Sequence, residues 1–154
     1  MRLRLVREPF DHPDFIFELK HDGFRAIAYL QNGESKLASR NQRNLGFEAL
    51  KRSMAELPVE NAILDGEVIC VDAKGVSQFN QLLSRKGEPV FYAFDLLRLD
   101  GEDLRRMPLV ERKKRLARLV RTAKCSRLLY AQHIEQHGKS FFAEICACPW
   151  RIPA

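Results

Sequence analysis

The stretch with the strongest potential for chemistry is residues 17–25, in which a lysine, an aspartate and an arginine follow one another closely. Its sequence is Phe-Glu-Leu-Lys-His-Asp-Gly-Phe-Arg. An unprotonated lysine amine is a nucleophile, and a nearby arginine can neutralise anionic phosphate oxygens. Lys20, Asp22 and Arg25 therefore indicate a lysine that attacks a phosphate. The alternative is a solvated loop carrying a surface ion pair worth ~0–1 kcal/mol.

Apolar residues that alternate with polar ones predict the strands that present this lysine. The strand-like segments are 15–19, 24–30 and 36–40. Asp22-Gly23 and Asn32-Gly33 lie between them, and both dipeptides are turn signals. We therefore predict three consecutive antiparallel strands joined by tight turns, a β-meander.

Two later segments place polar residues inside apolar strands. The first is Asp65-Gly66-Glu67, which interrupts the apolar run 61–72. A glycine inside a strand usually marks a close backbone approach, and an acid there is costly unless it binds something. The alternative is a turn between two short strands. The second is the aromatic-rich strand 90–99, in which we expect Phe94 and Asp95 to point to opposite faces.

Composition restricts the class of protein. With 154 residues and 45% hydrophobic content, the chain has the size of one ordinary domain with a packed core. No apolar run approaches the ~20 residues of a membrane span, so we expect no membrane partner. The four cysteines are few and irregularly spaced, and the first residues are too charged for a signal peptide. We therefore expect reduced thiols and a cytoplasmic location.

The positive charge is concentrated in one region. The chain has a net charge of +6, and residues 105–127 contain ten basic residues and one acid. Pro108 is expected to open a helix over 109–123, with leucines and valine on one face and cations on the other. Positive charge concentrated in one region indicates that the binding partner is an anionic polymer. We expect the helix to bind DNA phosphates through Arg112, Lys113, Arg115 and Arg118; the alternative is a solvated arginine-rich helix.

Taken together, four motifs resemble those of a known family. Residues 20–25 resemble the K-x-D-G-x-R signature of covalent nucleotidyltransferases, and residues 39–41, 65–67 and 91–97 resemble the motifs that follow it. The motifs occur in the family's order over about residues 10–147. The string after Phe94, through the segment 100–112, is similar to bacterial ATP-dependent DNA ligases in particular. The chain thus resembles the adenylation domain of those enzymes.

The resemblance implies a fold, a reaction and a role for each matching residue. The implied fold is α+β, with twisted antiparallel sheets and flanking helices. The implied reaction is transfer of AMP from ATP to a lysine, for sealing nicks in duplex DNA during repair or recombination. The implied roles are nucleophile for Lys20, adenine seating for Glu18, ribose contact for Arg25, phosphate contact for Arg40, ribose or metal contact for Glu67, and base stacking for Phe94.

The chemistry of a lysine nucleophile also implies a divalent cation. A lysine amine ordinarily titrates near ~10.4 and is protonated at neutral pH. A nearby cation, together with desolvation, favours the neutral amine that can attack. We therefore expect Mg²⁺ beside ATP, with Glu67 as its candidate protein ligand.

Members of the family continue with further motifs and an OB-fold domain, and these do not follow here. We therefore expect a single, C-terminally truncated domain over 1–154, with little or no nick sealing by this chain alone. A sheet edge that the next strand normally covers would stay open, so we expect a homodimer through that edge.

Two alternatives belong to other functional classes. The first is a non-catalytic module that binds nucleotide or DNA. The second is a small zinc site formed by His133, His137, Cys146 and Cys148. Ordinary thiols and surface histidines explain these four residues better, because their spacing matches no standard zinc pattern.

Overall fold

The computed structural model describes residues 5–72 and 75–147, which belong to two compact units. The larger unit is His21–Ala131, and the smaller unit combines Met1–Lys20 with Gln132–Ala154. The elements, in chain order, are β1 (Ile16–Glu18), β2 (Phe24–Gln31), β3 (Glu34–Ser39), α1 (Glu48–Ala55), β4 (Asn61–Cys70), α2 (Phe79–Leu83), β5 (Pro89–Leu99), β6 (Glu102–Asp103), α3 (Leu109–Ala123), β7 (Leu128–Tyr130), β8 (His133–Glu135) and α4 (Gly138–Ala147).

A six-stranded sheet forms the larger unit. Its order is β3-β2-β4-β5-β6, and β7 also pairs with β5, in parallel, while every other pair is antiparallel. One face of the sheet is buried under the apolar sides of α1 and α3, and the core includes Leu50, Leu64, Phe91 and Leu116. The expected α+β fold with antiparallel sheets and flanking helices is confirmed. The face of the sheet opposite these helices carries polar side chains.

The predicted three-stranded meander is wrong in its first strand. Strand β1 pairs with β8 in a separate two-stranded sheet, and the second neighbour of β2 is β4. Gly23 does not form a hairpin turn, because the strands on either side of it, β1 and β2, do not pair with each other. A Cβ at this position would overlap the carbonyl oxygen of Val68. This glycine therefore permits β2 to approach β4. The Asn32-Gly33 hairpin is confirmed, with both residues at positive φ (52° and 73°), as a tight two-residue turn requires.

Strand β4 runs without interruption through Asp65-Gly66-Glu67, so the alternative of two short strands is wrong. The close approach expected at Gly66 is confirmed. A Cβ there would lie 2.5 Å from a ring carbon of Phe91 and 2.7 Å from the carbonyl oxygen of Tyr92. Glycine at this position lets β4 and β5 pack together while the two flanking acids remain on the opposite face.

The helices follow the sequence pattern except at the start of α2. Helix α3 has the predicted bounds. In the sequence, Ser77 is a plausible cap for a helix over 77–83, but α2 begins at Phe79 and its N-cap residue, Gln78, makes no capping hydrogen bond with its side chain. The Ser77 hydroxyl instead donates to the carbonyl oxygen of Asp22 at 2.9 Å. It therefore tethers the residues that precede β2.

The smaller unit is held together by aromatic packing and by the start of α4. The Phe10 ring packs edge-on against Phe15 and Phe17, with centroids 5.3 Å apart in both pairs. Gly138 is buried against Phe17, and the Lys139 amide donates to the Asp11 carboxylate at 2.9 Å. Across the described ranges, no helix has the length and apolar character needed to cross a membrane.

Strand β3 forms one edge of the larger sheet, and the chain itself covers part of that edge. The Ser39 amide donates to Arg43 O, and the Leu45 amide donates to Leu37 O. Charged Glu34 and Lys36 occupy the remainder of the strand. These are features that discourage edge-to-edge pairing. The homodimer through a sheet edge stays a prediction.

Candidate active site

The exposed face of the larger sheet gathers three of the predicted site residues. Arg25 lies opposite Glu67 in the β2–β4 register, and Glu67 lies opposite Tyr92 in the β4–β5 register. Because side chains alternate along a strand, Asp65 shares this face with Glu67. Phe94 joins it from β5, beneath the Arg25 guanidinium. We call Arg25, Asp65, Glu67, Tyr92 and Phe94 the outer-face cluster.

Two contacts hold Arg25 within the outer-face cluster. Its Nε and Nη2 donate to the two oxygens of Asp65 at 3.2 and 2.8 Å. Its Cζ lies 5.3 Å from the centre of the Phe94 ring, which is the distance of a cation–π contact. The Asp65 side chain is only 13% exposed, whereas that of Arg25 is 52% exposed. Arg25 is therefore oriented from below while much of its surface faces solvent.

The surroundings of Arg25 stabilise its positively charged form. The hydrogen bonds that Arg25 donates to Asp65, with the negative charges of Asp65 and Glu67, raise the pKa of the guanidinium above its ordinary value, although burial opposes them. The pair uses two of the five N–H donors of the side chain. Other donors can serve an anionic or hydroxyl-bearing ligand.

Phe94 occupies a β-bulge. Asp65 pairs with Asp95 and Gly66 pairs with Ala93, so Phe94 is the extra residue between two successive pairs. Bulges re-aim side chains, and they occur often beside active sites. Here the extra residue is the one whose ring lies beneath Arg25.

Arg40 follows the last residue of β3 and is exposed. Ser39 pairs with Ala26, so the register brings Arg40 to the end of the sheet where Arg25 lies. No ion pair of Arg40 is found within the described residues.

Glu18 and Lys20, the remaining two predicted nucleotide contacts, lie in the smaller unit. Both line a groove of about 420 Å³ whose other walls are largely apolar. Phe10 and Phe17 contribute to one wall, and α4 supplies Phe141. Both charged side chains are exposed. An aromatic-lined groove with an amine and a carboxylate suits a flat apolar group that also carries polar edges.

The structure does not agree with the expected DNA contacts of Arg112 and Lys113. Lys113 is fully buried, and Arg112 is paired with Asp95 through two bonds of 2.8 Å. Both side chains therefore point toward β5 instead of toward solvent. Arg115 is bonded to Glu102 at 2.6 Å, while Arg118 is exposed.

Reasoning from the sequence missed the role of Asp65. Its spacing of two from Glu67 was the available signal, because residues i and i+2 of a strand share a face. The contacts of Arg112 and Lys113 with β5 had no comparable signal, since the charge pattern of α3 matches a solvated surface equally well.

Candidate metal ligands are few in the described part of the chain. No group of three or more His, Cys, Asp or Glu side chains is gathered there in a way that could hold an ion. Cys148 lies outside the described residues, and His133 Nε2 is 3.7 Å from a carboxylate oxygen of Glu135. The zinc alternative gains no support. Mg²⁺ is commonly bound by one or two carboxylates together with substrate phosphates, so Glu67 fits such a site.

Comparison with known proteins agrees with this arrangement. The family model described as "ATP dependent DNA ligase domain" matches residues 4–145. A multifunctional non-homologous end joining protein LigD from Pseudomonas aeruginosa is 30% identical over 149 residues, which are 92% of this chain and 18% of that protein.

Two solved mycobacterial structures have the same fold. Mycobacterial DNA ligase D complexed with ATP and MES has a TM-score of 0.70 and 28% identity. The ligase domain of LigD from M. tuberculosis has a TM-score of 0.72 and 29% identity. Each match covers 85% of this chain and 44% of the other. The fold is therefore that of an ATP-dependent DNA ligase adenylation domain.

The chain belongs to the ATP-dependent DNA ligase family. It spans less than half the length of these relatives.

Proposed function

We propose that this chain carries out the nucleotidyl-transfer step of a DNA ligase, attaching AMP to Lys20. The lone pair of Lys20 Nζ attacks the α-phosphorus of ATP, a P–N bond forms, and the bond to the bridging oxygen of pyrophosphate breaks. The amine loses its proton as pyrophosphate leaves. The resulting lysyl-AMP would then serve the sealing of nicked duplex DNA.

The observation that carries the proposal is the outer-face cluster. It presents an aromatic ring, a fixed guanidinium and a carboxylate on one face of a sheet. Phe94 offers a stacking surface for adenine, the remaining donors of Arg25 suit ribose hydroxyls, and Glu67 suits ribose or a cation. Arg40 is an exposed cation for phosphate oxygens, and Glu18 is assigned to the adenine edge.

A divalent cation is part of the proposal. When bound, Mg²⁺ would neutralise charge on the triphosphate. Glu67 would hold it together with phosphate oxygens, while Arg25 and Arg40 orient the nucleotide.

The stacking role of Phe94 leads to a first prediction. Phe94→Ala is expected to weaken ATP binding by roughly 5- to 150-fold, since stacking of a base on an aromatic ring is worth ~1–3 kcal/mol. Phe94→Tyr should change binding little, because the ring face is retained. Isothermal titration with ATP and Mg²⁺ measures both. Equal losses in the two variants would show that Phe94 only fills space.

Arg118, which is exposed, and Arg115, which is partly exposed, lead to a second prediction. We propose that Arg118, helped by Arg115, contacts DNA phosphates without sequence preference. Arg118→Ala should weaken binding to duplex DNA and reduce the slope of log affinity against log salt by about 0.9, the value for one phosphate contact. Lys36→Ala removes an exposed cation from β3 and is the matched control. An unchanged slope in Arg118→Ala would contradict the assignment.

Incubation with ATP and Mg²⁺, followed by intact mass measurement, tests the proposed function as a whole. The expected product is chain carrying one adenylate. DNA binding without such a product would favour the non-catalytic alternative, a module that only binds nucleotide or DNA.

A further inference from the structure

Lys113 is buried in a way that the proposed reaction does not by itself explain. Its side chain has no exposed surface, and its Nζ donates to the carbonyl oxygens of Phe94 at 3.2 Å and Ala131 at 3.0 Å. The ammonium also lies 4.9 Å from the centre of the Tyr130 ring. Burying a lysine charge is costly unless its donors are used, so this position has a specific structural purpose.

The place that Lys113 reaches is the bulge of β5. Phe94 is the extra residue between the pairs Gly66–Ala93 and Asp65–Asp95, and the residue added at a bulge is left out of the regular ladder. The Lys113 ammonium donates a hydrogen bond to the carbonyl oxygen of Phe94. A bulge without this bond would leave a partly buried acceptor poorly satisfied.

The same ammonium bonds the two strands where their pairing ends. Strand β7 runs parallel to β5 only as far as the pair Ala93–Tyr130, and the Ala131 amide still donates to Ala93 O. The next acceptors along the two strands are Phe94 O and Ala131 O, and Lys113 Nζ bonds both. A side chain from α3 thus continues the connection that the backbone ladder no longer makes.

The neighbouring residue of α3 holds the next residue of β5. Arg112 Nε and Nη2 donate to the two oxygens of Asp95, each at 2.8 Å. The first turns of α3 therefore hold two successive residues of β5, one through its backbone and one through its side chain. Phe94 is the extra residue of the bulge, and Asp95 is the first paired residue after it.

We propose that Lys113 is a positioning residue for nucleotide recognition: its ammonium fixes the β5 bulge and so holds the Phe94 ring beneath Arg25. The proposal rests on the proposed function of Phe94 as the base platform. Lys113 touches no nucleotide and acts only through Phe94. Its loss should therefore affect the base-binding part of the site and leave other buried regions intact.

The chain provides a matched control. Lys51 and Lys113 are the two buried charged side chains among the described residues, and Lys51 is bonded to Glu48 within α1. Lys113→Met and Lys51→Met make the same chemical change at two buried sites. Only the first change removes a bond to β5.

The test is a double-mutant cycle on ATP affinity in the full chain. Lys113→Met should weaken ATP binding about fivefold when Phe94 is present and less than about twofold in Phe94→Ala, a non-additivity typical of residues that interact directly. Lys51→Met should weaken binding equally, and little, in both backgrounds. Equal losses from Lys113→Met in the two backgrounds would overturn the proposal. An unaffected Phe94→Ala would instead overturn the proposed function of Phe94.

A second measurement does not depend on ATP. Nuclear Overhauser contacts between the Phe94 ring and the Arg25 side chain should be lost in Lys113→Met and kept in Lys51→Met. Contacts kept in both variants would overturn the proposal even if the chain binds no nucleotide. If Lys113→Met does not fold, Lys113→Gln, which is shorter and carries no ammonium, is compared in the same way, and loss of these contacts is again expected.

Discussion

Replacing Lys20 by alanine is expected to abolish the attachment of AMP to the chain. The alanine variant has no nucleophile, and none of the other roles proposed for the site can substitute for an attacking amine. Lys20→Arg should abolish attachment as well, because a guanidinium stays protonated and its lone pair is not available. Intact mass after incubation with ATP and Mg²⁺ measures both variants against the unmodified sequence.

The control for this prediction is another exposed lysine of the chain. Lys36 lies on β3 and is exposed. Lys36→Ala should retain full labelling. Labelling that persists in Lys20→Ala would show that a different residue is the nucleophile.

Among the arginines that the structure describes, Arg112 is the one whose replacement by alanine is expected to cause the largest loss of stability. Its pair with Asp95 is bidentate, both side chains are 15% exposed, and Arg112 Nη1 also donates to Met107 O at 2.6 Å. The hydrogen bonds to Asp95 raise the pKa of the Arg112 guanidinium, although burial opposes them, so Arg112 is held in its charged form. Removing one partner leaves the Asp95 carboxylate without its cation.

The expected cost is about 3 kcal/mol, the lower end of the range for a broken buried pair, because some solvent exposure remains. Thermal unfolding should show a decrease in Tm of roughly 6–12 °C for a chain of this size. Asp95→Asn should give a smaller decrease, since it keeps part of the hydrogen bonding. A Tm within one or two degrees of wild type for Arg112→Ala would contradict the account.

Arg105 provides the matched control. It makes three side-chain bonds to Asp103, as short as 2.6 Å, and these bonds hold the pKa of Asp103 well below its usual range. The two side chains are nevertheless 71% and 51% exposed, so water screens their attraction. We therefore expect Arg105→Ala to change Tm little. Burial of the ion pair, and not its number of hydrogen bonds, therefore determines how much the pair contributes to stability.

Much of the fold was predictable because local patterns agree with it. Helix α3 and strand β5 were expected within one residue of their observed bounds, since an apolar stripe after Pro108 and an aromatic run are strong local signals. The Asn32-Gly33 hairpin was also expected. Strand β1 was assigned to the wrong partner, because its pairing with β8 joins residues far apart in the chain and no local pattern records such a contact.

The candidate site was predictable in its residue types and less so in its geometry. Alternation along β4 places Glu67 on the face of Arg25, which the register confirms. The bulge at Phe94 is different, because it places one extra residue of β5 between two pairs with β4, where the Phe94 carbonyl oxygen meets Lys113. Hydrophobic periodicity indicates which face of a strand a residue occupies. It does not indicate where a bulge adds an extra residue to one strand of a pair. Lys113 was predicted to be a surface cation because it lies among the other cations of α3 in the sequence, and this pattern gives no sign that its side chain is fully buried.

The most direct test of the central claim is to locate the adenylate by fragment mass spectrometry of the unmodified chain after incubation with ATP and Mg²⁺. The account predicts a single AMP on the peptide that carries Lys20, with the fragment series placing it on that lysine. An adenylate on any other residue, or a chain that binds ATP but acquires no adenylate, would contradict it.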